Sequence, residues 1–463
     1  MDEKNKNNRI LALLFVGVLM GALDISIVGP AIPAIEKSIK VDKQLMSWIF
    51  SIYVLANLVG ISLMAKLSDL YGRRRIYIIS ISIFAFGSLV VALSENFNIL
   101  LTGRAIQGFG ASGIFPVASA VVGDIFPPEK RGRTLGLIGA VFGLAFILGP
   151  IIAGVVLKFF VWNDLFYINL PIAAFLIYFS NKLLPSKPVG KVSSIDWKGI
   201  IILGSLLSTF AFGINSLDAN SFIESLLSVK VYPFLIYSFC AIFLLIYVER
   251  NADTPVVNPH LFLIRQIRLT GLIAVGTGIF QASFVFLPSM AIANYGVGAS
   301  TASFMLLPVV IATAFGSPVS GRLLDKYGSR ALIIAGLILS AVGFIILSTI
   351  DEKRVLFYTG GVFLGLGFSV LSGSALRYIM LNEVSAIERA STQGLITILI
   401  SIGQMAGAAI IGTLLASYKI SSVGFKQVFF LVAIFAAILT ITALFLKSRE
   451  SELLTISKSV NQN

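Results

Sequence analysis

Two ionisable side chains stand where hydrocarbon is expected. Asp24 lies in an apolar run from Ile10 to Ile35, and Arg104 lies in a later one, within Arg104-Ala-Ile-Gln107-Gly108-Phe-Gly-Ala111-Ser112. A charge near the middle of a spanning helix costs roughly 2.5–3.5 kcal/mol on insertion scales, so it is rarely kept without a task. A carboxylate in such a place can take up and release a proton. The single histidine, His260, falls in a polar connection, which excludes a chain of intramembrane imidazoles, and the single cysteine, Cys240, excludes an intrachain disulfide. Proton chemistry therefore falls to carboxylates. The apolar runs hold no His/Cys/carboxylate cluster suited to a metal and no nucleophile beside a base, so an enzyme is not expected, and neither is a cofactor.

The elements that must position these groups are spanning helices. Of 463 residues 57% are hydrophobic and 12% charged, whereas soluble domains carry about a quarter charged residues. Fourteen apolar runs are expected, near 10–33, 45–66, 76–94, 98–122, 134–158, 164–183, 198–217, 230–248, 269–290, 300–321, 331–350, 355–381, 393–417 and 427–447. Their length suits helices crossing ~30 Å of hydrocarbon and not the alternating ten-residue strands of a barrel. The first run is too long for a signal peptide and is expected to be retained. Lys and Arg divide 24 against 9 between the two sets of connections, which places both termini in the cytoplasm. The same bias accounts for the net charge of +13 without nucleic acid. Asp24 is about fourteen residues, or ~21 Å, from the start of its run, hence ~9 Å below the outer face; Arg104 lies a similar ~9 Å from that face. Pairing between them is the expected arrangement.

A repeat divides the chain. Leu67-Ser-Asp69-Leu-Tyr71-Gly72-Arg-Arg74 follows the second run and Leu323-Leu-Asp325-Lys-Tyr327-Gly328-Ser-Arg330 follows the tenth, with five of eight positions identical. Repeats of this kind imply two related halves. The expected order is a six-helix bundle over 1–183, a linker with two extra helices over 184–267, and a second six-helix bundle with a short cytoplasmic tail over 268–463.

With these motifs in place, the chain resembles the major facilitator superfamily, and within it the fourteen-helix drug:proton antiporters. The family's Gly-x-Leu-x-Asp-x-x-Gly-Arg-Arg loop is matched by Leu67, Asp69, Gly72, Arg73 and Arg74, with Ala65 at the leading glycine; the second copy keeps Gly321 and Asp325. The resemblance implies that this loop latches the cytoplasmic side. Leu23-Asp24-Ile-Ser26 through Ala31-Ile-Pro33 resembles the family's first-helix signature, with Ser26 for Thr, and Gly17 and Gly21 supply a small-residue face. Arg104, Gln107 and Gly108 match its Arg-x-x-Gln-Gly motif. Gly136, Gly149, Pro150 and Gly154 match its antiporter motif, although Ala145 and Ala153 replace two glycines; Pro150 favours a bend.

The implied function is proton-coupled antiport by alternating access, exporting hydrophobic or amphipathic molecules from a prokaryotic cell membrane, with the protein acting as a monomer. Because Asp24 is the sole carboxylate placed deep in the membrane, neutral or monocationic cargo is expected. Tyr53, Asn57, Gln107, Phe142, Phe146, Gln281, Phe284 and Gln404 are the polar and aromatic residues expected to line the cavity. Glu383 and Glu388 are expected to be solvated, and Arg377 to be an interfacial anchor. The alternatives are a proton-linked porter for a metabolite or lipid-like molecule, which would need more convergent charges, and a scaffold or sensor without transport, which degraded motifs would mark.

Overall fold

The computed structural model describes residues 3–39, 48–185, 196–217, 221–252, 255, 257–297, 299–350, 354–416, 418 and 421–461. Every regular element among them is a helix. That is the expected solution in lipid, where each backbone polar group must be satisfied within its own segment. In chain order they are α1 (Glu3–Ile39), α2 (Trp48–Tyr71), α3 (Arg73–Ala92), α4 (Phe97–Ala111), α5 (Ile114–Ile125), α6 (Pro128–Phe159), α7 (Asp164–Tyr167), α8 (Asn169–Leu183), α9 (Trp197–Asn215), α10 (Phe222–Leu226) and α11 (Tyr232–Arg250). There follow α12 (Arg265–Tyr295), α13 (Ala299–Phe304), α14 (Leu307–Tyr327), α15 (Ser329–Ser348), α16 (Arg354–Val370), α17 (Leu376–Asn382), α18 (Arg389–Ala416), α19 (Ser421–Ala443) and α20 (Arg449–Asn461).

Thirteen helices are long and apolar enough to cross a membrane among the described residues. The run expected at 164–183 is helical but interrupted at Ile168, where α7 gives way to the 15-residue α8. Conversely, α4 and α5 form one span from Phe97 to Ile125, and α16, a π turn at Leu371–Ala375 and α17 form another from Arg354 to Asn382. Large apolar side chains such as Phe159, Phe239, Tyr247 and Phe315 point outward, as a lipid-facing surface requires.

Two seams hold the bundle together. α6 lies along α14, and α2 lies along α18. Helices α9 and α11 pack together through Ser205–Tyr237 and Thr209–Ser238 hydrogen bonds of 2.9 and 2.8 Å. They cover the second seam, with Leu203, Leu206 and Leu207 of α9 joining Leu58 and Ile61 of α2 and Ile398 of α18 in one apolar cluster. The loop-motif glycines Gly72 and Gly328 both adopt positive φ, 95° and 84°. A side chain would be strained there, so the α2–α3 and α14–α15 turns depend on glycine.

Close backbone approach matters most between α12 and α18. A methyl group on Gly403 would lie 1.9 Å from the Val275 carbonyl oxygen, and one on Gly278 2.0 Å from that of Ile400. Backbone cannot step aside as a flexible side chain would. Gly403→Ala is therefore expected to destabilise the protein by about 1–3 kcal/mol, the usual penalty of overpacking. Gly154→Ala, where nothing lies within 4 Å, should leave the thermal unfolding midpoint of the purified protein nearly unchanged.

Candidate functional site

Asp24 and Arg104 meet in the first half of the molecule, both 0% exposed. One carboxylate oxygen, Oδ2, accepts from Arg104 Nη1 at 2.6 Å. The other accepts from Gln107 Nε2 at 3.0 Å and Asn169 Nδ2 at 3.1 Å. Ser88 Oγ accepts from the same two amides, at 2.7 and 3.2 Å, and donates to the Phe84 carbonyl at 3.0 Å. Arg104 and Gln107 stand one turn apart on α4, which is why both reach one carboxylate. The guanidinium also donates from Nη1 to Gln107 Oε1 at 2.8 Å and from Nε to the Ile49 carbonyl at 3.2 Å. Its face is covered by the Tyr53 ring, 4.4 Å away. A buried pair survives desolvation only with such additional hydrogen bonds.

The glycine-rich motifs bring the helices this close. A methyl group on Gly108 would sit 2.1 Å from the Tyr53 carbonyl oxygen, so α2 and α4 touch there, and Asn57 Nδ2 donates to the Gly108 carbonyl at 3.1 Å. Gly149 faces Ser26, whose hydroxyl donates to the carbonyl of Ala145 at 2.9 Å and so ties α1 to α6. Gly136 abuts the Ser317 carbonyl of α14. Gly154 meets nothing within 4 Å, and Pro150 is exposed on α6. The small-residue face of α1 divides: Gly17 receives the Tyr77 hydroxyl, while Gly21 opens onto a cavity.

Three adjoining cavities, of about 480, 200 and 200 Å³, share Ser401 and Gln404 between the halves. Tyr53, Asn57, Phe142, Gln281 and Gln404 line them. Gln107 does not: it is spent on Asp24. Phe284 lies behind the wall, edge-on to Phe368 at 5.2 Å, and the Phe146 side chain lies outside the described residues. Tyr53 stands between the ion pair and the cavity. Arg377 is not an interfacial anchor: it is 4% exposed, stacked 4.0 Å over Phe115, and forms part of the cavity wall. Counting residues from a helix end placed it near an interface because sequence does not reveal that α5 and α18 close over it.

At the end bearing the repeated motif, α2 is joined to α18 and α14 to α6. Asp69 accepts from the α18 amides of Ala390 at 3.1 Å and Ser391 at 2.9 Å, and from the Ser391 hydroxyl at 2.6 Å. These are first-turn amides without helical partners, where negative charge is favoured. Arg73 pairs with Asp69 and, through Nε, with Asp124 at 2.8 Å; Asp124 in turn accepts from Arg389 at 2.8 Å. Arg74 stays outside this ring and donates to the Asn181 carbonyl at 3.0 Å. Asp325 makes the reciprocal connection, accepting from the α6 amides of Gly132 and Arg133, both at 2.9 Å. Glu383 and Glu388 are engaged and not simply solvated: Lys447 Nζ holds the first at 2.6 Å, and Asn258 Nδ2 donates to the second at 2.9 Å.

The chain matches the Major Facilitator Superfamily model over residues 14–293 and 269–461. It belongs to the major facilitator superfamily. Its relatives include the MFS-type transporter YfiU of Bacillus subtilis, 31% identical over 87% of this chain and 79% of the relative. Multidrug resistance protein 3 of the same organism is 31% identical over 86% of this chain and 78% of its own length. The crystal structure of the human organic anion transporter MFSD10 superposes with a TM-score of 0.72 over 96% of this chain and all of that one, at 16% identity, and so shares the fold. The protein is thus a multi-pass membrane transporter of this superfamily and not an enzyme.

Sequence reasoning missed Asn169, Ser88 and Asp124. Asn169 stands beside the interruption at Ile168 in an otherwise apolar run, a signal that was available; Ser88 carries none, since serine is ordinary in spanning helices. The ion pair yields a stability prediction. Removing one partner strands the other, at a cost of about 3–5 kcal/mol. Asp24→Asn and Arg104→Gln should each lower the unfolding midpoint, and the double variant should recover much of the loss in a double-mutant cycle.

Proposed function

We propose that this superfamily member is a proton-coupled antiporter that exports hydrophobic or amphipathic small molecules by alternating access. The observation that carries the reading is the Asp24–Arg104 pair, a buried carboxylate separated by Tyr53 from a largely apolar cavity. Multidrug efflux names among its relatives support the cargo class. Positive-inside bias supports a cell-membrane orientation with both termini, and the latched end, in the cytoplasm. The proposed unit is a monomer of two six-helix bundles, with α9 and α11 as the added pair, driven by the proton gradient without a cofactor.

In this mechanism Asp24 exchanges protons with the outside when the pair opens toward the cavity past Tyr53. Protonation removes the charge that holds Arg104, frees Gln107 and Asn169, and loosens α1 against α4. Ser26 and Gly149 then transmit the shift from α1 to α6, which lies on α14. Asp69, Arg73, Asp124 and Asp325 hold the cytoplasmic side shut until that shift occurs, and Gly72 keeps the turn that presents them. Paired with Arg104, Asp24 offers no net negative charge to a cation, so neutral cargo is the part of the charge expectation that the site supports.

Purified protein in proteoliposomes with an imposed pH gradient tests this. The parent should accumulate the neutral amphipath N-phenyl-1-naphthylamine, and a protonophore should abolish accumulation. Asp24→Asn should lower the gradient-driven rate at least ~tenfold, the effect of losing about 1.4 kcal/mol of coupling. Gradient-driven transport by Asp24→Asn at the parent rate would refute the proton site.

A further inference from the structure

The cavity wall carries a charge that the proton site does not use. Arg377, at the start of α17, keeps its guanidinium protonated in any protein setting. Its surroundings are neutral. Nη1 and Nη2 reach Thr397 Oγ1 at 3.3 and 3.2 Å, and Nη1 lies 3.4 Å from Gln393 Oε1 and 3.5 Å from its carbonyl, at the outer limit of hydrogen bonding. Nε has no partner at all. Among the described residues no carboxylate pairs with it, and Asp24 is already taken by Arg104. Arg73, Arg104 and Arg389, also buried, each hold a carboxylate within an ion-pair distance, although Arg104 Nη2 and Arg389 Nε are likewise unpaired. Buried Arg131 spends its donors on the Phe126 and Gly123 carbonyls and Asn382, and Arg377 differs from all four in lining the cavity.

Local backbone supports the placement. The π turn at Leu371–Ala375 ends two residues before Arg377. Such turns are rare, shift the register of the side chains that follow, and concentrate at functional sites. Here Ser372, Gly373 and Arg377 fall together on the cavity wall, facing Phe142, Gln281 and Gln404 from other helices. An uncompensated buried cation is costly to keep. A cavity that retains one, with donors still unspent, is built to receive an acceptor.

We propose that Arg377 is the recognition group for an oxyanion, and that the preferred cargo is an amphipathic molecule with one carboxylate, sulfonate or phosphate. The anionic group bonds to the guanidinium, with the Gln281 and Gln404 amides beside it. The apolar body lies toward the Phe115 and Phe142 rings, which meet edge-on at 5.3 Å. This assignment rests on the transport reading above and, within its amphipathic cargo class, moves the preference from neutral to anionic molecules.

The test uses the full chain in lipid nanodiscs, with empty nanodiscs as the blank, and equilibrium dialysis of three probes. These are 1-anilinonaphthalene-8-sulfonate, its sulfonate-free counterpart N-phenyl-1-naphthylamine, and the rigid monocation tetraphenylphosphonium. The parent should bind the sulfonate about tenfold or more tightly than the neutral counterpart, the scale of one charge-assisted hydrogen-bond pair. Arg377→Gln should erase that difference while leaving the neutral probe within about twofold, and Arg377→Lys should retain part of it. Equal binding of the two naphthalenes by the parent, equal weakening of both by Arg377→Gln, or preference for the monocation would each overturn the proposal. If Arg377→Gln does not fold, the parent's preference and its partial retention in Arg377→Lys decide in the same sense. Intact sulfonate preference without gradient-driven uptake of any probe would instead overturn the transport reading and leave the anion site standing.

Discussion

A carboxylate and a guanidinium, both fully removed from solvent, set the terms for the first half of this protein. Neither Asp24 nor Arg104 is tolerable alone in hydrocarbon, and together they still need the amides of Gln107 and Asn169 to complete the carboxylate's hydrogen bonds. Four helices therefore have to converge: α1 brings Asp24, α3 brings Ser88, α4 brings Arg104 and Gln107, and α8 brings Asn169. The convergence in turn demands small residues where backbones touch, which is the physical reason for Gly108 beneath Tyr53 and Gly149 beneath Ser26. Charge and glycine are two sides of one requirement.

The opposite constraint operates at the motif-bearing end. There the carboxylates bind between helices distant in sequence: Asp69 of α2 holds the start of α18, and Asp325 of α14 holds the first turns of α6. The exchange is reciprocal, as expected from a repeated sequence element. Arg73 lies between Asp69 and Asp124 and makes a continuous chain of charge to Arg389. Such contacts consist of few, discrete bonds with defined partners, so they can be made or released together. They suit a latch better than a broad apolar interface would.

Spanning segments, the repeat, the superfamily and the two intramembrane charges were all legible in the sequence, because a charge in an apolar run and a repeated eight-residue motif are rare. Neutral partners were not. Ser88 and Asn169 acquire meaning only when α3 and α8 bring them to Asp24, and Asp124 only when α5 ends beside α3 and α18. Arg377 was misplaced for a related reason: distance from a helix end measures depth along one helix but not enclosure by its neighbours, here Phe115 and Thr397. The sixth expected run was legible as apolar, and its interruption was legible too in Asn169 and Pro171, since Pro171 has no amide for the Tyr167 carbonyl.

The two arginines thus have different roles: Arg104 holds a carboxylate behind Tyr53, whereas Arg377 stands on the cavity wall without one. The central claim remains the proton on Asp24. The most direct measurement is infrared difference spectroscopy of the reconstituted protein on acidification and on adding cargo, with Asp24→Asn as the reference. The account predicts a protonated-carboxyl band that appears with acid, is lost when cargo binds, and is missing from Asp24→Asn. A band that ignores cargo, or one that persists unchanged in Asp24→Asn, would contradict it.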